Sequence, residues 1–108
     1  MQPVKEISVE ELAKWRAGEK AFVLVDVRHP NELKLAALPD AVNVPLHELA
    51  ARLGELDGNV PIALICHTGA RSEFAARFLA SNGFADACTV VGGIDAYSAR
   101  VDPSIPRY

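Results

Sequence analysis

The stretch PIALICHTGARS, residues 61–72, decides the fold of this chain. It begins with a short apolar run, which is typical of a strand buried on both faces of a parallel sheet. Cys66 follows that run, a tight loop containing Gly69 comes next, and a helix is predicted over residues 72–81. In open α/β sheets, ligands bind beyond the carboxyl ends of the strands. The sequence therefore places Cys66 at the edge of the sheet where a binding site is expected.

The rest of the chain repeats this alternation of apolar runs and amphipathic segments. Strands are predicted over residues 4–7, 22–27, 41–44, 61–65 and 88–91. Helices are predicted over residues 8–18, 31–36, 46–53, 72–81 and 94–99. Ser8 and Glu11 have the spacing of a capping box, and Phe74, Phe78 and Leu79 are expected to share one buried face of their helix. We expect one α/β domain over residues 1–108, with three layers: a mostly parallel central sheet of about five short strands and helices on both faces.

Composition excludes several classes of protein. The 108 residues carry 11 Lys and Arg against 14 Asp and Glu, a net charge of −3 that argues against a binder of nucleic-acid backbones. Half of the residues are apolar, so disorder is excluded. Two cysteines are too few for a secreted disulfide framework, and neither a signal peptide nor an apolar run of ~20 residues is visible. We therefore expect a cytoplasmic protein with no membrane partner.

The loop after the apolar run is the candidate site. Its members are Cys66, His67, Thr68, Gly69, Ala70, Arg71 and Ser72. Backbone amides in such a loop can turn inward as an anion-binding nest, the helix N-terminus adds about half a positive charge, and Arg71 adds a cation. All three favour a thiolate, which makes Cys66 a candidate nucleophile at neutral pH. The alternative is a buried thiol at a strand end, and the spacing C-x4-R-S favours the nucleophile.

The other cysteine and the histidines have simpler interpretations. Cys88 lies in ACTVV with no loop, glycine or cation beside it, so we expect it to pack in the core, with a resolving or regulatory thiol as the alternative. His67 either adds positive potential or is an exposed loop residue, and His29 and His47 are expected at the surface. A zinc site from Cys66, His67 and Cys88 would lack paired ligand spacing and a fourth ligand, so no metal is expected.

Three motifs in order resemble those of a single-domain, rhodanese-type sulfurtransferase. They are Cys66-x4-Arg71-Ser72, Asp26-Val27-Arg28 with Pro30 and Glu32, and Gly92-Gly93-Ile94-Asp95-Ala96-Tyr97. The resemblance runs over residues 7–108, and VDPSIPRY at residues 101–108 is similar to the end of rhodanese domains fused to E1-like adenylyltransferases, which pass sulfur to thiocarboxylate carrier proteins. The chain departs from the family at Ala37, where a histidine is usual, and at Tyr97, where a tryptophan is usual.

The resemblance implies a two-step exchange without a metal or organic cofactor. The thiolate of Cys66 takes sulfur from a small anion such as thiosulfate, or from a persulfide, and the Cys66 persulfide then passes it to cyanide, a thiol or a protein. Asp26 and Arg28 are expected to brace the loop, with a purely structural pair as the alternative. Glu32 is expected to be the ion partner of Arg28, with an exposed helix charge as the alternative.

The sequence leaves two other functions open. Rhodanese folds also occur as non-catalytic binding modules, although these commonly lack the loop cysteine that this chain keeps. Phosphatases and arsenate reductases also place a Cys thiolate in an anion loop closed by arginine, with the spacing C-x5-R. Here only four residues separate Cys66 from Arg71, a smaller ring that suits one sulfur atom better than a phosphoryl group.

Overall fold

A central sheet of five parallel strands organises the molecule. The computed structural model describes residues 4–108. The strands are β1 (Lys5–Ile7), β2 (Val23–Asp26), β3 (Val42–Asn43), β4 (Ile62–Ile65) and β5 (Ala87–Val90). Their order across the sheet is β1-β5-β4-β2-β3, with every pair parallel. All strands therefore end at the same edge, and the predicted parallel α/β sheet of five short strands is confirmed.

Three α-helices connect and cover the strands. They are α1 (Val9–Lys14), α2 (Ala70–Ala80) and α3 (Gly93–Arg100). The chain continues from α1 through a wider π-type turn, Trp15–Glu19, and leaves it at Gly18, whose φ is +102°. Short 3-10 helices lie at Pro30–Lys34, Leu46–Glu48 and Ala50–Glu55. None of the helices described over residues 4–108 has the length and apolar character needed to span a bilayer.

Two hydrophobic clusters, one on each face of the sheet, form the core. The first joins α1 and α3 to the sheet through residues such as Leu12, Ile94 and Tyr97. The second joins α2 and the 3-10 segments to the opposite face through residues such as Leu49 and Leu79. Alternate residues of one strand serve the two clusters, as the period of two requires. The three-layer architecture predicted from the sequence is therefore confirmed.

Two local predictions are wrong. Phe74 is 62% exposed, so it does not share a buried face with Leu79; the buried side chains of α2 are Ser72, Ala75, Ala76 and Leu79. Three small residues and one leucine at this i, i+3, i+4, i+7 spacing form the inner stripe of the helix, and the large aromatic side chain of Phe74 is left outside. The α-helix predicted over residues 46–53 is instead two 3-10 segments.

The N-terminal cap of α1 is half of the predicted capping box. The Ser8 hydroxyl accepts a hydrogen bond from the Glu11 amide at 3.0 Å, as expected for an N-cap serine. The Glu11 carboxylate turns the other way and accepts from Nε1 of Trp15 at 3.2 Å. A nearby indole N–H therefore takes the place of the Ser8 amide as partner of this carboxylate.

Candidate active site

Cys66 stands immediately after β4, beneath a loop that ends at the start of α2. Its Sγ accepts hydrogen bonds from the amides of Gly69 at 3.1 Å and Ser72 at 3.4 Å. Gly69 has a φ of +117°, a left-handed conformation that glycine adopts without strain and that curls the loop around the sulfur. The N-terminus of the eleven-residue α2 faces the same loop. These groups all place positive charge density toward the sulfur.

A pair of buried hydroxyls extends the hydrogen bonding behind Cys66. The Ser72 Oγ lies 3.4 Å from Sγ, donates to the Gly69 carbonyl at 3.1 Å, and lies 2.7 Å from Oγ1 of Thr89 on β5. Ser72 and Thr89 are both buried. Because Ser72 has a single hydroxyl proton, a Thr89 hydroxyl that donates to it leaves that proton free to turn toward Gly69 or toward the sulfur.

The start of α3 holds the first residues of the loop in place. The amides of Ile94 and Asp95 donate to the carbonyls of Cys66 and His67, at 2.9 and 3.0 Å. This close approach requires glycine at position 93, where a Cβ would overlap both of those carbonyl oxygens. The double glycine found in the sequence therefore lets one helix pack directly against the backbone of the candidate nucleophile.

Arg71 is held by a carboxylate from another part of the chain. Its Nη1 and Nη2 donate to Oε1 and Oε2 of Glu32 at 2.6 and 2.9 Å. This paired hydrogen bonding with Arg71 lowers the pKa of Glu32 to about 2. The prediction that Glu32 pairs with Arg28 is wrong, because Arg28 turns inward to a nearer carboxylate. Arg71 is therefore a fixed cation whose charge is largely balanced by Glu32.

Asp26 and Arg28 form a fully buried ion pair at the end of β2. The guanidinium of Arg28 donates to Asp26 through Nε and Nη2, the latter at 2.6 Å, and Nη2 also donates to the Ala36 carbonyl. Burial disfavours the charge of Arg28, but its bonds to Asp26 and to the hydroxyl of Tyr108 outweigh burial and raise its pKa. Asn43 donates to the carbonyls of Asp26 and Arg28 and so fixes the backbone around the pair.

The mouth of the loop is lined by His67 and Tyr108. Their rings are stacked, with centroids 3.9 Å apart and planes 7° from parallel. Thr68 and Ala70, at the outer turn of the loop, are exposed. His29 and His47 are exposed as well, as predicted. The structure thus brings together every loop residue that the sequence singled out, and it adds an aromatic ring that the sequence did not indicate.

Cys88 has a different environment from Cys66. It belongs to the cluster covered by α1 and α3, whereas Cys66 belongs to the cluster on the opposite face of the sheet. Burial raises the pKa of the Cys88 thiol to about 11. Both cysteines are free thiols. Cys88 therefore packs in the core as a neutral side chain, as the sequence predicted.

Sequence reasoning missed Thr89 and Tyr108. Thr89 lies in the apolar strand β5, and only its register beside β4 brings it to the loop. Tyr108 lies far along the chain, within a segment singled out only for its family resemblance.

Within residues 4–108, no three His, Cys, Asp or Glu side chains cluster in a way that could hold a metal ion.

An open groove of about 410 Å³ adjoins the site on its Arg71 side. Its lining residues are Val27, His29, Leu46, His47, Arg71 and Phe74. The exposed ring of Phe74 forms part of its wall and gives the groove an apolar side.

The fold and this site together define an α/β domain built around a cysteine whose sulfur accepts hydrogen bonds from loop and helix amides. The Rhodanese-like domain family matches residues 8–100, and the chain belongs to that family.

Relatives of known name or structure agree with this assignment. A "Sulfurtransferase" of Allochromatium vinosum is 33% identical over 102 residues, which cover 94% of this chain and 95% of that protein. The crystal structure of a rhodanese-like domain protein from Staphylococcus aureus superposes with a TM-score of 0.83 at 28% identity, covering 97% of this chain and 99% of that one.

Other relatives are much longer than this chain. The "Rhodanese-like/PpiC domain-containing protein 12, chloroplastic" of Arabidopsis thaliana is 37% identical over 115 residues, covering 99% of this chain. The chain spans 38% of the length of that protein.

Proposed function

We propose that this protein is a sulfurtransferase that carries sulfane sulfur as a persulfide on Cys66. The observation that carries this proposal is the cradle of Cys66: two backbone amides bonded to Sγ beneath the N-terminus of α2. The name of the similar Allochromatium vinosum protein supports the same reaction class. So does the "Thiosulfate sulfurtransferase GlpE" of Pseudomonas syringae, 34% identical over 90% of each chain.

In the first step, the Cys66 thiolate attacks the outer sulfur of thiosulfate. A bond forms between Sγ and that sulfur, the bond to the sulfonate sulfur breaks, and sulfite leaves with its electron pair. With a persulfide as donor, the leaving group is a thiolate. Amides of the first turn of α2 have no carbonyl partner within the helix, so those of Ala70 and Arg71 are suited to stabilise the anionic outer sulfur.

In the second step, a thiophilic acceptor removes the outer sulfur. Cyanide, a small thiol or a thiol of an acceptor protein attacks it, and the Cys66 thiolate leaves with the electron pair of the broken S–S bond. Both steps exchange one nucleophile for another on sulfur, so neither requires a metal or an organic cofactor. The open groove beside Arg71 leaves space for a protein acceptor to approach the loop.

The side chains around the loop have supporting roles in this scheme. Ser72 and Thr89 supply a hydroxyl proton that can follow the charge on sulfur. The pair of Arg71 with Glu32 holds the end of the loop against the chain after β2. The buried pair of Asp26 and Arg28 braces the same region from below.

The test is sulfur transfer from thiosulfate to cyanide, followed as thiocyanate, with the wild-type protein and Cys66→Ser. We expect transfer by the wild type and none by the variant. Hydrolysis of p-nitrophenyl phosphate on the same sample serves as the comparison, because a phosphatase would turn over the phosphate ester and leave thiosulfate untouched. A protein that acquires no sulfur from thiosulfate or from glutathione persulfide would support a binding module instead.

A further inference from the structure

Tyr108 makes contacts with both sides of the loop mouth. Its ring stacks on the imidazole of His67, the residue that follows the nucleophile. Its hydroxyl lies between Arg28 and Glu32, accepting from Nη1 of Arg28 at 2.9 Å and donating to Oε2 of Glu32 at 2.7 Å. The Tyr108 side chain therefore connects Arg28 of the buried ion pair, the carboxylate of Glu32 and the ring of His67.

The hydroxyl of Tyr108 has a fixed orientation. Arg28 is fully buried, and its Nε and Nη2 are occupied by Asp26 and the Ala36 carbonyl, so Nη1 is directed at Tyr108. Because an arginine only donates, the phenol oxygen must accept here, and its own proton is left for Glu32. Burial raises the pKa of Tyr108, so the phenol keeps that proton at neutral pH.

The backbone before Tyr108 is also anchored close to the loop. The carbonyl of Ile105 accepts from the buried Ser98 hydroxyl, and Ile105 packs against the core. Arg107 donates to both carboxylate oxygens of Asp95, at 2.9 and 3.1 Å. The amide of Asp95 in turn donates to the His67 carbonyl. The segment is thus held on α3, next to the residue on which the tyrosine ring stacks.

We propose that Tyr108 is a positioning residue of the Cys66 loop that orients the His67 ring and the Glu32–Arg71 pair at the mouth and so controls how a sulfur donor reaches Sγ. Cys66 is only 1% exposed, so a donor must pass the residues around the loop to reach it, and the stacked rings of His67 and Tyr108 lie on one side of that loop. Tyr108 does not touch the sulfur and acts through His67 and Glu32. This inference concerns the same site as the proposed sulfur transfer. It rests on that function only for the measurements of KM and kcat, and not for the alkylation of Cys66.

The test is a double-mutant cycle between Tyr108 and His67. Tyr108→Leu removes the stacked ring and the hydroxyl, Tyr108→Phe removes the hydroxyl alone, and His67→Ala removes the stacking partner. Tyr97→Phe is the matched control, because it removes a tyrosine hydroxyl bonded to another arginine, Arg16, at 2.7 Å. The KM and kcat for thiosulfate are measured together with the rate at which iodoacetamide alkylates Cys66, followed by mass spectrometry.

The proposal predicts a split between binding and turnover. Tyr108→Leu should raise KM about 3- to 10-fold and change kcat less than about two-fold, because the bonds to Sγ come from the loop itself. It should speed the alkylation of Cys66 at least about three-fold by opening the mouth. Tyr108→Phe should give a smaller change of the same sign. In the His67→Ala background, most of the effect of Tyr108→Leu should disappear, since contacting residues are coupled.

Fully additive effects of the two substitutions, or a Tyr108→Leu protein as active and as slowly alkylated as Tyr97→Phe, would overturn the proposal. Tyr108→Phe keeps the test decisive if the leucine variant does not fold. Alkylation needs no sulfur donor, so a coupled alkylation rate in a protein that transfers no sulfur retains this inference and removes the proposed function. If the protein transfers sulfur but the alkylation rates show no coupling between Tyr108 and His67, the proposed function is retained and this inference is removed.

Discussion

Cys66 and Cys88 are buried to the same degree, 1% and 4% exposed, on neighbouring strands of one sheet. Cys66 follows its strand and receives two amides at its sulfur, whereas Cys88 lies within its strand, level with Ala63. Burial raises the pKa of the Cys88 thiol to about 11. The comparison teaches that burial alone raises the pKa of a thiol, and that the two amide donors directed at the sulfur are what distinguishes Cys66.

The two thiols lie on opposite faces of the sheet. Cys66 lies in the cluster with α2, and Cys88 in the cluster with α1 and α3. Ala63 pairs with Cys88 across the strands, and Cys66 is three residues after Ala63, just past the end of β4. The sheet therefore separates them, and a dithiol mechanism has no geometric support.

The largest effect is expected from removing the Cys66 thiol, with removal of the Cys88 thiol as the comparison. Cys66→Ser should lower thiosulfate–cyanide transfer by more than about a thousand-fold, because the nucleophile is lost. Cys88→Ala should keep activity within about two-fold and cost about 1 kcal/mol of stability through the small cavity it leaves. Steady-state rates and urea unfolding measure both. Equal losses of activity in the two variants would contradict the single-carrier account.

The cation at the end of the loop should have the next largest effect. Arg71→Ala leaves the Glu32 carboxylate without its partner beside the loop, and the dianion thiosulfate must then approach an unbalanced negative charge. We expect kcat/KM for thiosulfate to fall about 10- to 100-fold, equivalent to ~1.4–3 kcal/mol. Arg100→Ala, which breaks an exposed ion pair between the end of α3 and Glu10 on α1, is the control. An unchanged rate in Arg71→Ala would show that this cation does not assist the donor.

Removing the hydroxyl behind Ser72 should have a smaller effect. Thr89→Val keeps the shape of the side chain and removes the group 2.7 Å from Ser72 Oγ. We expect transfer to slow about 3- to 10-fold, because the serine proton loses one of the contacts that orient it. Thr89→Ser restores a hydroxyl and should recover most of the rate. A valine variant as fast as the wild type would show that the hydroxyl pair serves packing alone.

The smallest effect concerns stability in acid. The bond to Arg71 lowers the pKa of Glu32 from 4.5 to about 2, so this carboxylate stabilises the fold above pH 4.5 and loses that contribution as pH falls toward 2. Because Arg71 is one-third exposed, we discount the contribution to about 1–2 kcal/mol. Urea unfolding should show Glu32→Gln less stable than the wild type at neutral pH, with the difference vanishing toward pH 2. Glu10→Gln is the control, and a difference independent of pH would contradict the assignment.

The sequence predicts the sheet and the cysteine loop well because their signals are local. The apolar run before Cys66 gives a buried strand, and Gly69 and the C-x4-R-S spacing give the turn into α2. Pairings between side chains that lie far apart in the sequence have no such local signal. Glu32 lies four residues from Arg28 and still pairs with Arg71, because Arg28 turns inward to Asp26.

The same limit applies to Tyr108 and to Phe74. Tyr108 reaches the loop only because its segment packs on α3, and periodicity in the sequence does not report such packing. The helical spacing of Phe74 predicts that its ring is buried, but the alanines of α2 face the sheet instead. Which of two apolar stripes a helix buries depends on the space between helix and sheet, and that space is set by tertiary packing.

The central claim is that one of two equally buried thiols carries sulfur, and mass spectrometry of the persulfide tests it most directly. Trypsin cleaves after Arg71 and Arg77, so Cys66 and Cys88 lie in separate peptides. After incubation with thiosulfate and capping with iodoacetamide, the peptide containing Cys66 should gain one sulfur atom, and cyanide added before capping should remove it. A sulfur atom on the Cys88 peptide, or on both peptides, would contradict the account. So would a result in which neither peptide gains sulfur, whether the donor is thiosulfate or glutathione persulfide.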